Sequence, residues 1–94
     1  MIYEERNKLS DKTQDMNRAI DSLKEEVEAV TAYNQRAEAC ADGNLKKILL
    51  HNAKEEKEHA VMLIEWMSQH DGEFAKEAKE YFFAKDADIA SLEK

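Results

Sequence analysis

The sequence predicts an all-α protein made of two long helices and a short third one. Its 94 residues include no proline and two glycines, and Ala, Glu, Lys and Leu are abundant. The turn residues that short strands need are therefore nearly absent, which excludes an all-β fold, and the composition is typical of long helices. Apolar residues also recur every three or four positions, which is the spacing of one helix face.

The first long helix is predicted to begin at Ser10-Asp11 and to run to Cys40. Ser10 is a suitable N-cap, and the carboxylate of Asp11 lies near the positive end of the helix dipole. Residues 1–9 are mixed and charged, and we interpret them as a loosely held arm. The apolar stripe of this helix consists of Met16, Ile20, Leu23, Val27, Val30 and Ala37.

The second long helix follows a break at Asp42-Gly43-Asn44. Gly43 is predicted to stop the first helix and Asn44 to cap the second, which runs to the next break at Asp71-Gly72. Leu50 and Val61 lie outside its main stripe and predict a second apolar contact, with the third helix or with a further subunit. The main stripe consists of Leu45, Ile48, Leu49, Leu63, Trp66 and Met67.

The rest of the chain is short, so we predict a single domain over residues 1–94. Residues 84–94 show little pattern and are interpreted as a C-terminal tail. The third helix is predicted from the spacing of four residues, Phe74, Ala78, Tyr81 and Phe82.

Chain length predicts that the two long helices form an extended antiparallel hairpin. A helix of roughly 30 residues is about 45 Å long, whereas a compact chain of this size has a radius of gyration of only about 12–13 Å. A hairpin leaves one apolar side open. A second copy would cover that side and complete a four-helix bundle across a two-fold axis.

Charge and cysteine content exclude several classes of function. The net charge of −7 disfavours nucleic acid and anionic membranes as partners, because both attract Lys/Arg patches. No apolar run reaches the roughly 18–20 residues of a membrane span. The single cysteine, Cys40, excludes an internal disulfide and fits a reducing cytoplasm. We therefore predict a soluble cytoplasmic protein.

Three polar residues lie inside the apolar stripes. On a helical wheel Glu26 falls within the apolar arc of the first helix, and Glu56 and His59 fall within that of the second. Buried charges are usually paired or bound to metal. Glu56 and His59 form a Glu-x-x-His unit, whose spacing puts both side chains on one helical face.

This pattern predicts half of a binuclear metal site. Di-iron carboxylate bundles take a Glu from each of two helices and a Glu-x-x-His unit from each of the other two. One chain supplies one of each, so a dimer would supply the full set. Such mixed carboxylate and imidazole ligands suit iron, manganese or zinc. Tyr33 shares a face with Glu26 and is interpreted either as a partner of a ligand or as a core tyrosine.

The sequence also allows other interpretations of these residues. In a non-catalytic helical adaptor, Glu26, Glu56 and His59 would form salt bridges instead. A rubrerythrin-like di-iron peroxidase would use hydrogen peroxide as its oxidant. Glu25 and Glu28 are either an acidic access site for Fe(II) or a solvated helix face. His51 and His70 have no evident partner.

The sequence resembles the encapsulated ferritins, the ferritin-like cargo of encapsulin nanocompartments. The resemblance covers about residues 9–83. It rests on the segments Leu23-Lys24-Glu25-Glu26-Val27-Glu28-Ala29-Val30, Tyr33, His51-Asn52, Glu55-Glu56-Lys57-Glu58-His59-Ala60 and Glu65-Trp66.

This resemblance implies a ferroxidase that oxidises Fe(II) with dioxygen and stores iron inside an encapsulin shell. It implies a ring-shaped homodecamer of five dimers, with two iron ions per dimer at the interface. The matching ligands are Glu26, Glu56 and His59, with Tyr33 beside them.

The resemblance also bears on two peripheral features. Glu25 and Glu28 match the acidic residues of the family's metal access site, but Ala32 stands where the family has a tryptophan, so the site would differ in shape. The segment Ile89-Ala90-Ser91-Leu92 is faintly similar to an encapsulation peptide but lacks the usual flexible spacer.

Overall fold

The computed structural model describes residues 1–85 and 88–93, and every regular element in these residues is helical. The predicted all-α hairpin with a short third helix is therefore confirmed. The predicted tail includes residues 86, 87 and 94, which lie outside the described residues. The elements are a 3-10 turn at Arg6–Lys8, helices α1 (Asp11–Ala39), α2 (Gly43–His70) and α3 (Gly72–Tyr81), and a 3-10 turn at Ile89–Leu92.

Side-chain caps fix the start of each α-helix. The Ser10 hydroxyl accepts a hydrogen bond from the backbone N–H of Thr13, as the sequence predicts. Asp42 caps α2 by accepting from the N–H of Leu45 at 2.8 Å. These side chains satisfy helix N–H groups that have no partner within the helix.

The prediction for the first interhelical turn is wrong. Asn44 does not cap α2, since Asp42 does, and Gly43 is the first residue of α2 instead of the stop of α1. Neither glycine has the positive φ that a glycine stop adopts. Asp42 is the N-cap because its carboxylate reaches the free N–H groups of the first turn of α2.

Small side chains form the seam between α1 and α2. The buried residues are mostly alanines, so the two helix backbones approach closely. The hairpin is long, with a largest dimension of 49 Å and a radius of gyration of 17.1 Å, well above the value for a compact chain of this length. The buried seam consists of Ala19 and Ala37 from α1 and Ala53, Ala60 and Met67 from α2.

Helix α3 covers one side of the hairpin. It encloses an open apolar groove of about 570 Å³, lined by Ile20, Leu23 and Ile64 from the hairpin and by Phe74 and Phe82 from the α3 side. Leu50 and Val61 do not line this groove, and both remain exposed. The contact predicted for them, with α3 or with a further subunit, therefore stays a prediction.

The N-terminal arm is tied to α1 more closely than predicted. The Gln14 side-chain amide donates hydrogen bonds to the backbone carbonyls of Arg6 and Leu9, at 3.3 and 3.1 Å. These bonds hold the 3-10 turn against the beginning of α1. Among the described helices, none combines the length and the apolar character that a membrane crossing requires.

Candidate metal centre

Helix α1 places Glu26 in the hairpin seam. Glu26 follows the buried Ala19 by seven residues and precedes the half-buried Tyr33 by seven, so all three lie on nearly the same line along the helix. Its side chain is only 23% exposed. The periodicity that builds the seam therefore brings a carboxylate into it.

Helix α2 supplies the other two polar side chains. Glu56 lies seven residues after Leu49 and seven before Leu63, and its side chain is also 23% exposed. His59 lies one turn further along, and 46% of its side chain is exposed. The pair spans the boundary between the seam and the uncovered side of the hairpin.

The three side chains converge. Nδ1 of His59 lies 3.5 Å from Oε2 of Glu26 and 3.6 Å from Oε2 of Glu56. One potential ligand atom from each residue lies within 4.8 Å of the other two. A single cation could therefore contact all three residues after small side-chain adjustments.

Burial makes this group suited to a cation. Oε2 of Glu26 is buried and has no hydrogen-bond partner. A buried carboxylate oxygen without a hydrogen bond is costly, and a bound cation would satisfy it. Two carboxylates and one imidazole also match the ligand preferences of iron, manganese and zinc. The residues present therefore fit a transition metal ion.

The side of the hairpin opposite α3 opens onto this group. A cavity of about 420 Å³ there is lined by Glu26 and His59 together with Ser22, Met62, Leu63 and Trp66. No described element of the chain covers it. Three ligands from one chain are also half the set that a di-iron carboxylate site uses.

The other predicted site residues lie around the cluster. Tyr33 is half-buried, and the Arg36 guanidinium lies 5.7 Å from the centre of its ring. Glu25 and Glu28 are exposed and lie outside the convergent group. Ala32, on the same helix, is half-buried.

Sequence reasoning missed the partners of two histidines. Nε2 of His51 lies 3.4 Å from Oε1 of Glu55. The His70 ring stacks on Trp66 with ring centroids 4.1 Å apart, and its Nδ1 is 2.8 Å from the Trp66 backbone oxygen. The expectation that neither histidine has a partner is wrong. Spacing of four residues on one helix could have revealed both pairs.

Comparison with known proteins gives consistent matches. The family model described as EncFtn-like matches residues 1–85. The "Encapsulated ferritin-like protein" of Rhodospirillum rubrum is 44% identical over 77 residues, which are 82% of this chain and 55% of that protein. The chain thus spans about half the length of this relative. The "Ferritin-like protein" of Thermotoga maritima is 41% identical over 91 residues, which are 97% of this chain and 79% of that protein.

A solved structure is also similar. The crystal structure of protein ne0167 from Nitrosomonas europaea superposes with a TM-score of 0.88 at 54% sequence identity. The match covers 93% of this chain and 96% of that one. Both the sequence and the arrangement of helices are therefore shared over nearly the whole chain.

Proposed function

The chain belongs to the EncFtn-like family of encapsulated ferritins, and from this premise we propose that it is a ferroxidase. Its substrates are Fe(II) and dioxygen, and its product is ferric iron for storage. The observation that carries the proposal is the convergence of Glu26, Glu56 and His59 around a buried carboxylate oxygen that lacks a hydrogen bond.

Each residue has a distinct role in this proposal. Glu26 and Glu56 hold Fe(II) with carboxylate oxygens and offset the positive charge that grows as iron becomes Fe(III). Neutral His59 supplies a nitrogen ligand. Two Fe(II) ions held together would each lose one electron to become Fe(III), and the two electrons with two protons would reduce one dioxygen molecule to hydrogen peroxide. Tyr33 lies beside the ligands and is proposed to contact one of them or a nearby water.

A second copy of the chain completes the site. Its Glu and Glu-x-x-His residues would double the ligand set to that of a di-iron carboxylate centre, with two irons per dimer. Five such dimers in a ring would form the proposed homodecamer. Fe(II) is proposed to approach through the exposed carboxylates of Glu25 and Glu28, at an access site whose shape differs from that of the family because of Ala32.

The proposed location is an encapsulin shell in the cytoplasm. Support comes from the name of the relative in Rhodospirillum rubrum, which describes that protein as encapsulated. In this chain the candidate contact with the shell is the 3-10 turn Ile89–Leu92, where Ile89 is exposed.

Aerobic oxidation of Fe(II) tests the proposal. Glu56→Ala and His59→Ala should each lower the initial rate by more than the roughly 10–100-fold that loss of a ligand's supporting partner costs. Glu58→Ala is the matched control, because Glu58 is an exposed glutamate beside both ligands. Equal rates in all three variants would contradict the assignment.

Anaerobic titration with Fe(II) separates the ferroxidase from a non-catalytic adaptor. The ferroxidase should bind two Fe(II) per dimer and, on exposure to air, show a transient ferric absorption. An adaptor would bind no stoichiometric iron. A parallel assay with hydrogen peroxide identifies the preferred oxidant, and dioxygen is expected.

A further inference from the structure

One methionine lies in the wall of the cavity that reaches the candidate ligands. Met62 follows His59 by three residues, which places both side chains on one face of α2, about one turn apart. Both residues line the cavity of about 420 Å³ that also contains Glu26, and we call it the metal cavity. Met62 is 62% exposed, so little of the chain covers its thioether group.

The other methionines lie away from this cavity. Met67 is 4% exposed and lines the apolar groove beneath α3, on the opposite side of the hairpin. Met16 is half-buried on α1, and Met1 is 63% exposed in the N-terminal arm. Neither Met1 nor Met16 lines the metal cavity. Met1 and Met62 therefore differ in position but not in exposure, and they separate the effects of the two on reactivity.

The reaction proposed above delivers hydrogen peroxide into the metal cavity. Among the described residues of the cavity wall, only Met62 carries sulfur. A thioether sulfur accepts an oxygen atom from peroxide and becomes a sulfoxide. The carboxylate, hydroxyl and alkyl groups of the wall have no comparably nucleophilic atom, and the indole ring of Trp66 is attacked mainly by radicals. Met62 is therefore the group in the wall that is best suited to react with peroxide itself.

We propose that Met62 is oxidised to methionine sulfoxide by the hydrogen peroxide released in the metal cavity, and so removes this product beside the ligands. The inference rests on the proposed function, which supplies the peroxide. The sulfur lone pair attacks one peroxide oxygen, the O–O bond breaks as the S–O bond forms, and the other oxygen leaves with both protons as water. Sulfur loses two electrons and peroxide gains them. Sulfoxide reductases restore the thioether.

The position of Met62 determines what the peroxide meets first. Peroxide that meets a further Fe(II) takes one electron from it and is cleaved to hydroxide and a hydroxyl radical. That radical oxidises imidazole and indole rings, and His59 and Trp66 both line the cavity. The side chain of Met62 is unbranched and flexible, so its sulfur can reach much of the space one turn from His59. Oxidation of Met62 therefore protects a ligand.

Peptide mass spectrometry after oxidation of Fe(II) tests the proposal on the full chain. The protein receives Fe(II) and dioxygen enriched in the heavy oxygen isotope, with catalase present to remove peroxide that escapes. Met62 should gain one heavy oxygen atom roughly tenfold more often than Met1, because peroxide formed beside a group reaches it before dilution. The isotope separates this reaction from oxidation during handling, which adds ordinary oxygen.

Moving the thioether by one residue provides the matched control. Val61 is 64% exposed and adjacent to Met62 on α2, but it does not line the metal cavity. In the double variant Val61→Met, Met62→Leu, position 61 should take up no more heavy oxygen than Met1. Hydrogen peroxide added to the metal-free wild type should oxidise Met1 at least as fast as Met62, because exposure alone then decides the rate.

Repeated additions of Fe(II) test the protective role. Met62→Leu nearly conserves side-chain volume but removes the sulfur. Relative to its own first addition, this variant should lose its oxidation rate faster than Met67→Leu, whose position faces the groove beneath α3. Heavy oxygen should then appear on His59 or Trp66. Equal loss of rate in the two variants would contradict the protective role.

The outcomes separate this inference from the proposed function. Equal labelling of Met1 and Met62, or no labelled methionine while Fe(II) is oxidised, would overturn the inference and leave the ferroxidase assignment intact. Heavy oxygen on Trp66 in place of Met62 in the wild type would show radical chemistry and would also overturn it. A protein that does not oxidise Fe(II) would lose the ferroxidase assignment, and with it the source of the peroxide.

Discussion

The two sides of the hairpin are covered in different ways. On one side, α3 folds back over Ile64 and Met67 and encloses an apolar groove. On the other side, Met62 and Trp66 surround a cavity that reaches Glu26, and no described element covers them. The same pair of helices therefore has one side covered by its own chain and one side without an internal cover.

This difference shows how polar residues are distributed in a small helical chain. The side covered by α3 needs only apolar packing, so caps and small apolar contacts hold it. The open side contains a buried carboxylate oxygen with no hydrogen bond, a feature that a monomer gains nothing from keeping. The free-energy cost of burying this oxygen is offset if a metal ion and a second copy of the chain bind at that side.

The largest expected effect is metal-linked stabilisation of the open side. Zn(II), which has no redox chemistry, should stabilise the protein by about 2.7 kcal/mol at roughly one hundred times its dissociation constant. Chemical denaturation at fixed protomer concentration measures this gain. His59→Ala should abolish it, whereas His51→Ala should retain it, because His51 is exposed and paired with Glu55. An equal gain in both variants would place the zinc elsewhere.

A smaller stabilisation is expected in the metal-free protein when the carboxylate itself is removed. Glu26→Met keeps the side-chain length and eliminates the buried oxygen that lacks a hydrogen bond, so the metal-free protein should become more stable by about 1–2 kcal/mol. Glu25→Met, on the exposed face of the same helix, should change stability by less than about 0.5 kcal/mol. Denaturation in excess chelator measures both. A destabilised Glu26→Met protein would show that the carboxylate serves folding and not metal binding.

The next largest effect on stability is expected on the covered side, from loss of the N-cap of α3. Oδ1 of Asp71 accepts hydrogen bonds from the N–H groups of Glu73 and Phe74, at 3.0 and 2.9 Å. Asp71→Ala should lower the free energy of unfolding by about 1 kcal/mol. It should also expose the groove before the hairpin itself unfolds. Hydrogen exchange should show lost protection in α3 with α1 unchanged, whereas Ser10→Ala should do the reverse. Uniform loss of protection in both variants would mean that α3 unfolds only with the hairpin.

Most of the helical architecture could be predicted from the sequence, because apolar spacing over long stretches is a strong signal. The turn at Gly43 could not, because aspartate and glycine are adjacent there and each has a helix-end role. The core that the sequence predicts is also larger than the core of the structure. Ile20 and Val27 belong to the predicted stripe but are exposed, since a two-helix hairpin has room to bury only the alanine seam.

The candidate site was more predictable than the core. A carboxylate within an apolar stripe contradicts the pattern around it, so Glu26 and Glu56 stand out from the other acidic residues. The Glu-x-x-His spacing then adds His59. What the sequence could not supply is the distance between helices, which decides that Glu26 meets His59. That distance depends on how closely the alanines let α1 and α2 approach.

The smallest expected effect is a pH dependence confined to the covered side. Partial burial, followed by the charges of Glu80, Glu93 and Glu77, raises the pKa of Tyr81 above its ordinary value of 10.0. The Tyr81 hydroxyl therefore ionises less readily in the folded state than in the unfolded state. Its contribution to the stability of the fold is complete below the ordinary pKa and is lost as pH rises through the pKa of the folded state. Tyr81→Phe should remove this loss of stability above pH 10, and Tyr3→Phe should not.

The free energy of unfolding can be measured from the loss of helicity during denaturation at several alkaline pH values. The difference in this free energy between two variants cancels the effect of ionisations that both variants share. Identical pH profiles for the wild type and Tyr81→Phe would show that the phenol does not contribute to packing. If the profiles differ, protection of α3 should fall before that of α1, because Tyr81 is the last residue of α3 and lines the groove. Added metal should leave that difference unchanged, since the ligands lie on the opposite side.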